Sequence, residues 1–270
     1  MKNVAISGIN GRMGRLVASI INQSQDYNLV FALGKSKADY IGKDLGEYFN
    51  MPKFKNIIID DNIDNLVNLS NLDVIIDHTN RHYCLDLAIK AITKNIPFIT
   101  GSSGLTPDIL EKLGLQVKEH KGKVLIVPNF SLGAVLMMEF AAQASKWFDY
   151  CEIVELHDPK KTDAPSGTSL YTADKIEKHD KTFNVKQVEE TELIPAVRGG
   201  ITKSGLRIHS LRMPGVISQQ EVNFGANGEL LKISHTSFNT QCFSHGIILA
   251  LSKIDKIDGL VRGLENILNT

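Results

Sequence analysis

The sequence predicts an α/β protein, with an N-terminal doubly wound parallel sheet of the Rossmann type followed by an α+β domain built on an open mixed sheet. Three features predict it. Short apolar runs alternate with longer amphipathic ones through the first half, the pattern of strands feeding crossover helices. The segment Gly8-Ile9-Asn10-Gly11-Arg12-Met13-Gly14 follows the first apolar run directly and opens the first amphipathic one. After Asn129 the texture changes to short strands joined by glycine and asparagine turns.

In chain order, the apolar runs place strands at 3–7, 29–33, 56–59, 73–77, 97–100 and 123–127. Between them, 13–22 carries Met13, Val17, Ile20 and Ile21 on one helical face, and 82–94 carries Leu85, Ala88, Ile89 and Ile92. Thr106-Pro107-Asp108 supplies a capping hydroxyl, a proline for the first helical position and an acid for the first turn. Further on, an apolar helix over 132–147 leads to a strand at 152–156, a polar proline-bearing loop over 157–168 and a helix over 169–178. Strands follow near 207–211, 220–224 and 230–235, with Asn227-Gly228 as a hairpin turn, and 244–252 and 257–268 read as closing helices.

Composition narrows the function. At 270 residues and 43% apolar content the chain buries a real core and has room for two domains. Thirty basic side chains balance thirty acidic ones, so no global field draws nucleic acid or an anionic membrane, and neither is expected as a partner. Cys84, Cys151 and Cys242 lack the spacing of a disulfide framework or a thiolate metal site. The opening apolar run, Val4, Ala5 and Ile6, is too brief for a signal peptide, and the expected location is the cytoplasm.

The glycines allow a sharp turn that brings backbone N–H groups onto a pyrophosphate at a helix N-terminus, with Arg12 as a cation beside it. At the tip of the second strand, Leu33-Gly34-Lys35-Ser36-Lys37 offers no carboxylate before Asp39, while the lysines and serine suit a 2′-phosphate. NADPH is therefore expected to serve at least as well as NADH. Asp77-His78-Thr79 and Gly101-Ser102-Ser103-Gly104 end later strands, where open α/β sheets hold ligands. His78 alone reads better as an ordinary polar loop residue.

The richest segment is Glu155-Leu156-His157-Asp158-Pro159-Lys160-Lys161-Thr162-Asp163-Ala164-Pro165-Ser166-Gly167-Thr168. A strand ending at Leu156 delivers His157 to a loop, Lys160 and Lys161 add cations, and the Ser-Gly-Thr helix start offers free N–H groups suited to a carboxylate. A histidine in that field exchanges a proton near neutral pH. The pattern describes a site for an anionic substrate that gains a proton as hydride arrives; a charged surface loop before a capped helix is the plainer alternative.

The segment is similar to the signature of 4-hydroxy-tetrahydrodipicolinate reductases, the dihydrodipicolinate reductase family. In that signature a glutamate and a histidine precede a lysine and an Asp-Ala-Pro-Ser-Gly-Thr run. The Gly8 loop resembles the family's nucleotide loop, Gly101 to Gly104 its nicotinamide loop, and Pro128-Asn129-Phe130-Ser131 its crossover between domains. The resemblance implies His157 and Lys161 as catalytic proton donors, with Asp158, Ser166, Gly167 and Thr168 at the substrate. It implies cofactor contacts from Gly8, Ile9, Asn10, Gly11, Arg12, Met13, Lys35, Gly101, Ser102, Ser103, Val127, Pro128, Asn129 and Phe130, and no metal. It further implies a dinucleotide domain over 1–128 and 240–270, a catalytic and oligomerisation domain over 129–239, and a homotetramer. The implied reaction uses NADPH or NADH to reduce a cyclic hydroxy-dicarboxylate with loss of water, on the diaminopimelate route to lysine. Departures are Asp158, where many members carry a second histidine, Thr240 in place of an arginine, and the stretch from Arg212 to Gln220. The rivals are an aspartate-type amino-dicarboxylate dehydrogenase and a non-catalytic nucleotide sensor on the same fold.

Overall fold

The computed structural model describes residues 1–178 and 181–269. Its first part alternates strand and helix: β1 (Lys2–Ser7), α1 (Arg12–Gln23), β2 (Tyr27–Leu33), α2 (Leu45–Phe49), β3 (Ile59–Asp60), α3 (Ile63–Val67), β4 (Val74–Asp77), α4 (Arg81–Thr93), β5 (Phe98–Thr100), α5 (Pro107–His120) and β6 (Lys123–Ile126). The strands are apolar without alternation because both faces are covered, as a parallel sheet requires: Val4, Ala5, Ile6, Val74, Ile75 and Ile76 have no exposed surface. From α4, Leu87, Ala88, Ala91 and Ile92 close one face together with Leu113 and Val117 of α5.

The chain continues through α6 (Leu132–Ala144), β7 (Tyr150–His157), α7 (Gly167–Glu177), β8 (Gly200–Ile201), β9 (Arg207–Arg212), β10 (Ser218–Ala226) and β11 (Glu229–Ser237). These strands form a mixed sheet in the order β11-β10-β7-β9-β8, in which only β7 and β9 run parallel. Ala141 of α6 and Ala173 and Ile176 of α7 pack on one face against Cys151, Ile153, Ile208, Val222 and Phe224. The hairpin between β10 and β11 turns on Asn227-Gly228, with Gly228 at φ +83.

The chain then adds α8 (Ser244–Lys253) and β12 (Gly259–Arg262), which pairs with β6 and completes a parallel sheet ordered β12-β6-β5-β4-β1-β2-β3. Two compact units result, Met1–Phe130 with Phe243–Thr270, and Ser131–Cys242. No helix among the described residues is long and apolar enough to cross a membrane.

Several expectations are corrected. The helix expected over 257–268 is instead β12 and a short 3-10 turn at Leu264–Ile267. Gly259 (φ +70) and Gly263 (φ +93) interrupt any helix there, and Leu260 and Val261 pair with Val124 and Leu125 as an edge strand. The strand expected at 56–59 contracts to β3, because Asn56 sits in the left-handed region at φ 71 and turns the chain. The helix over 132–147 stops at Ala144, leaving Trp147 exposed beyond it. Thr106 takes the N-cap position of α5 without capping it; its hydroxyl binds the Asp108 side chain and lowers that carboxyl's pKa.

Candidate active site

In the first unit, the Gly8 loop is a cradle with no room for side chains. Gly8 has φ +80, and a Cβ there would lie 2.6 Å from the His78 carbonyl oxygen; one on Gly14 would lie 2.3 Å from the Gly8 carbonyl oxygen. Amides of Gly8 and Ile9 both donate to the Leu33 carbonyl, at 3.0 and 3.1 Å, which ties the turn to the end of β2. Gly11 is the N-cap of α1 and no side chain caps the helix, so its first amides remain for an anion. Arg12 is exposed beside them, Met13 is half-buried, and Asn10 is held by the Arg15 guanidinium. These glycines, this uncapped helix start and Arg12 fit a dinucleotide pyrophosphate.

At the tip of β2 a Cβ on Gly34 would lie 2.6 Å from the Tyr40 ring and 2.8 Å from Ile41, so any side chain there would have to displace both. The Tyr40 hydroxyl accepts the Lys35 amide at 3.0 Å, and Lys35, Ser36 and Lys37 are exposed. One acid does approach: the Asp61 carboxylate accepts the Lys37 amide at 3.2 Å.

The ends of β4 and β5 are joined by Asp77, a carboxylate with no exposed surface. It accepts the hydroxyls of Thr79 (2.8 Å), Thr100 (3.0 Å) and Ser102 (2.6 Å), while Ser102 Oγ accepts the Thr79 amide. Gly101 therefore sits in a fixed turn against the rings of His78 and Phe130, with Ser103 exposed next to Ser102. Val127 donates its amide to Thr100 and is buried, as is Phe130, whereas Pro128 is exposed and Asn129 half-buried between them. Cys84, under Thr100, is pushed up to about 12 by burial and is no nucleophile.

In the second unit the centre is Glu155, on the buried face of β7. Burial alone would raise its carboxyl, but donors from the Ser166 amide (2.9 Å), the Ser169 hydroxyl (2.7 Å) and the Ser210 hydroxyl (2.8 Å) outweigh burial and hold it at about 2. The same carboxylate lies 3.5 Å from the Arg212 guanidinium and 3.8 Å from His157 Nδ1. His157 is the last residue of β7 rather than the first of the loop. Burial lowers its pKa, Glu155 and Asp163 oppose that, and Lys161 and Arg212 reinforce it, leaving a neutral ring at pH 7. Lys161 Nζ pairs with Asp163 at 2.7 Å, both partly exposed. Register between the ends of β7 and β9 sets His157 beside Arg212, and the loop after His157 folds Asp163 and Lys161 onto them, with Arg212 donating to the Asp163 carbonyl at 2.6 Å.

The other residues singled out in this segment take different parts. Asp158 is exposed, and its carboxylate accepts the Lys160 amide at 2.9 Å, so its charge is turned onto its own loop. Ser166 is buried and caps α7 by accepting the Ser169 amide, which commits both its amide and its hydroxyl. Gly167 is exposed with open space around it, and Thr168 is half-buried, at the positive end of α7. Sequence reasoning missed Arg212, Ser169, Ser210, Thr172 and Gln220. Gln220 accepts the Ser169 hydroxyl at 2.9 Å and donates to Thr172 at 2.7 Å.

The chain matches the family model for the N-terminal part of dihydrodipicolinate reductase over residues 2–130 and that for the C-terminal part over 133–268. It is 36% identical over 269 residues to a 4-hydroxy-tetrahydrodipicolinate reductase of Synechococcus elongatus, covering 98% of both chains. It is 38% identical over 271 residues to one from a Nostoc species, covering 98% of this chain and 97% of the other. Among solved structures it resembles a dipicolinate-bound dihydrodipicolinate reductase from Paenisporosarcina sp. TG-14, with a TM-score of 0.89, 32% identity and coverage of 99% and 100%.

Proposed function

Because the chain belongs to the dihydrodipicolinate reductase family, we propose that Lys161 and His157 deliver the proton in its reaction and that the start of α7 holds a substrate carboxylate. The protein is an NAD(P)H-dependent oxidoreductase that reduces 4-hydroxy-tetrahydrodipicolinate to tetrahydrodipicolinate with loss of water, a step of diaminopimelate and lysine synthesis. When bound, the reduced nicotinamide supplies the hydride that takes the place of the departing hydroxyl.

One observation carries the residue assignment: Glu155, fully buried, sets the start of α7 through Ser166 and Ser169 and stands 3.8 Å from His157 Nδ1. Carboxylate holder and proton donors are thereby built from one polar core. His157 is neutral at neutral pH, so the Lys161 ammonium is the cation at hand. Its ion pair with exposed Asp163 is weak because water screens it, and a substrate carboxylate competes with it readily. The amides of Gly167 and Thr168 grip a carboxylate, with Ser166 as their support. Proton transfer from Lys161, assisted by His157, lets the hydroxyl leave as water.

The Gly8 to Met13 loop holds the pyrophosphate, Gly101 to Ser103 and Val127 to Phe130 hold the nicotinamide end, and Lys35 meets a 2′-phosphate. With glycine and not an acid at position 34, and lysines at 35 and 37, NADPH serves at least as well as NADH. The uncovered face of the mixed sheet, with Leu211 and Leu230 exposed on it and Leu193, Ile194, Val197 and Ile201 exposed in and beside β8, supports assembly into a homotetramer. The substrate is a small dicarboxylate, neither nucleic acid nor membrane is a partner, and the free thiols suit the cytoplasm.

The test is oxidation of NADPH and of NADH by enzymatically generated 4-hydroxy-tetrahydrodipicolinate, beside aspartate with NADP⁺. Turnover of the cyclic substrate, with NADPH at least equal to NADH, is expected. Turnover of aspartate alone would assign the site to an amino-dicarboxylate dehydrogenase.

A further inference from the structure

We propose that Arg212 is a positioning residue for proton delivery: its guanidinium fastens the loop that carries Lys161 to the end of β9 and so sets where the ammonium stands. The inference rests on the reductase reading, in which Lys161 donates the proton, and adds to it the side chain that aims the donor.

Residues 158–164 form a loop with little of its own to hold it. Asp158, Pro159, Lys160, Thr162, Asp163 and Ala164 are all exposed. The Asp158 carboxylate accepts the Lys160 amide and the Asp158 carbonyl accepts the Lys161 amide, but both bonds stay inside the loop. The Lys161 ion pair with Asp163 is internal as well. Among the described residues, the only hydrogen bond that leaves 158–164 for the rest of the unit is the one to Arg212, whose Nη2 donates to the Asp163 carbonyl at 2.6 Å. That tie sits two residues past Lys161, so a shift of the loop at Asp163 carries the ammonium with it.

The guanidinium is itself fixed. Arg212 ends β9 in register with His157 at the end of β7, and the Met213 amide donates to the His157 carbonyl at 3.0 Å. Nη1 donates to the Leu211 carbonyl at 2.8 Å and stands 3.5 Å from the Glu155 carboxylate. Glu155 has no exposed surface and is held by three donors, so it is a stationary negative charge for Arg212 to lean on. A planar fork meets the Asp163 carbonyl with one arm and faces Glu155 with the other, a geometry that a lysine ammonium does not reproduce. The same charge bears on His157, whose ring lies in the field of Glu155, Lys161, Arg212 and Asp163, and it helps to keep that ring neutral.

Arg212→Lys keeps the charge and loses the fork, whereas Arg212→Gln loses both. With enzymatically generated cyclic substrate, kcat should fall roughly 10- to 100-fold in each, the scale of a donor misplaced by about 1 Å, while the calorimetric NADPH dissociation constant holds. Because Arg212 acts through Lys161, adding Arg212→Lys to Lys161→Ala should lower kcat no further than Lys161→Ala alone. An arginine that served only stability would lower the melting temperature of Arg212→Lys and leave its kcat at the wild-type value. The His157 ring, followed by NMR, should titrate at higher pH in Arg212→Gln than in the wild type and close to the wild-type pH in Arg212→Lys, which separates charge from geometry. Arg212→Lys also provides the comparison if the glutamine variant folds poorly. Wild-type kcat in Arg212→Lys, loss of its fold, or a full additional loss on the Lys161→Ala background overturns the proposal. Wild-type protein that fails to turn over the cyclic substrate overturns the reductase reading instead, and that outcome is read without any variant.

Discussion

A carboxylate with no exposed surface survives at Glu155 because hydrogen-bond donors surround it, and that makes the site sensitive to acid. Its folded pKa of about 2 lies below the ordinary 4.5, so the stabilisation is fully present above pH 4.5 and is lost as pH falls toward 2. The shift is worth on the order of 3 kcal/mol. His157 acts in the same direction, since its lowered pKa removes stability as pH falls through 6.5. Glu155→Gln should lower the urea midpoint at pH 7 by an amount equivalent to about 2–3 kcal/mol and flatten the acid limb of the stability profile below pH 4.5; an unchanged acid limb would refute the role given to Glu155. At this scale the sequence points to the segment from Glu155 to Thr168 because reactive residue types crowd it, and the family resemblance is what picks His157 and Lys161 out of that segment. Ser210 and Gln220 were not legible. They reach Glu155 as its direct cross-strand neighbours, a matter of register between distant segments that local pattern does not encode.

Among elements, glycines show how one substitution can mean two things. Gly228 turns the hairpin at φ +83 with open space around it, so Gly228→Ala meets only backbone strain, about 1–2 kcal/mol, and should leave cofactor binding untouched. Gly14 lies in the first turn of α1, where an added methyl meets the Gly8 carbonyl oxygen at 2.3 Å. Gly14→Ala must push the loop and helix apart, costing about 1–3 kcal/mol and weakening NADPH at least about tenfold. Titration and thermal melts of the two variants side by side check the contrast. Elements of the first half were readable because a parallel sheet covered on both faces writes itself as uninterrupted apolar runs. The closing segment was misread because Leu260, Leu264, Ile267 and Leu268 recur at helical spacing while glycines at 259 and 263 forbid the helix. The short α2 and α3 rest on side-chain caps, Asp44 to the Glu47 amide and Asn62 to the Asp64 amide, too little pattern for periodicity to detect.

Over the whole molecule, the residues assigned to the cofactor fall in Met1–Phe130 and those assigned to proton delivery and carboxylate binding in Ser131–Cys242. The return of the chain to supply β12 beside β6 depends on an edge pairing between distant segments, which the sequence does not display. This division of labour has a kinetic signature, because a change to the proton donors should spare cofactor affinity. The decisive measurement is kcat with the cyclic substrate, alongside calorimetric NADPH binding, for Lys161→Ala and His157→Ala. The account predicts kcat lower by roughly 10²- to 10⁴-fold in each, with the NADPH dissociation constant unchanged. Wild-type kcat in both variants, or a loss of NADPH affinity in step with kcat, would contradict it.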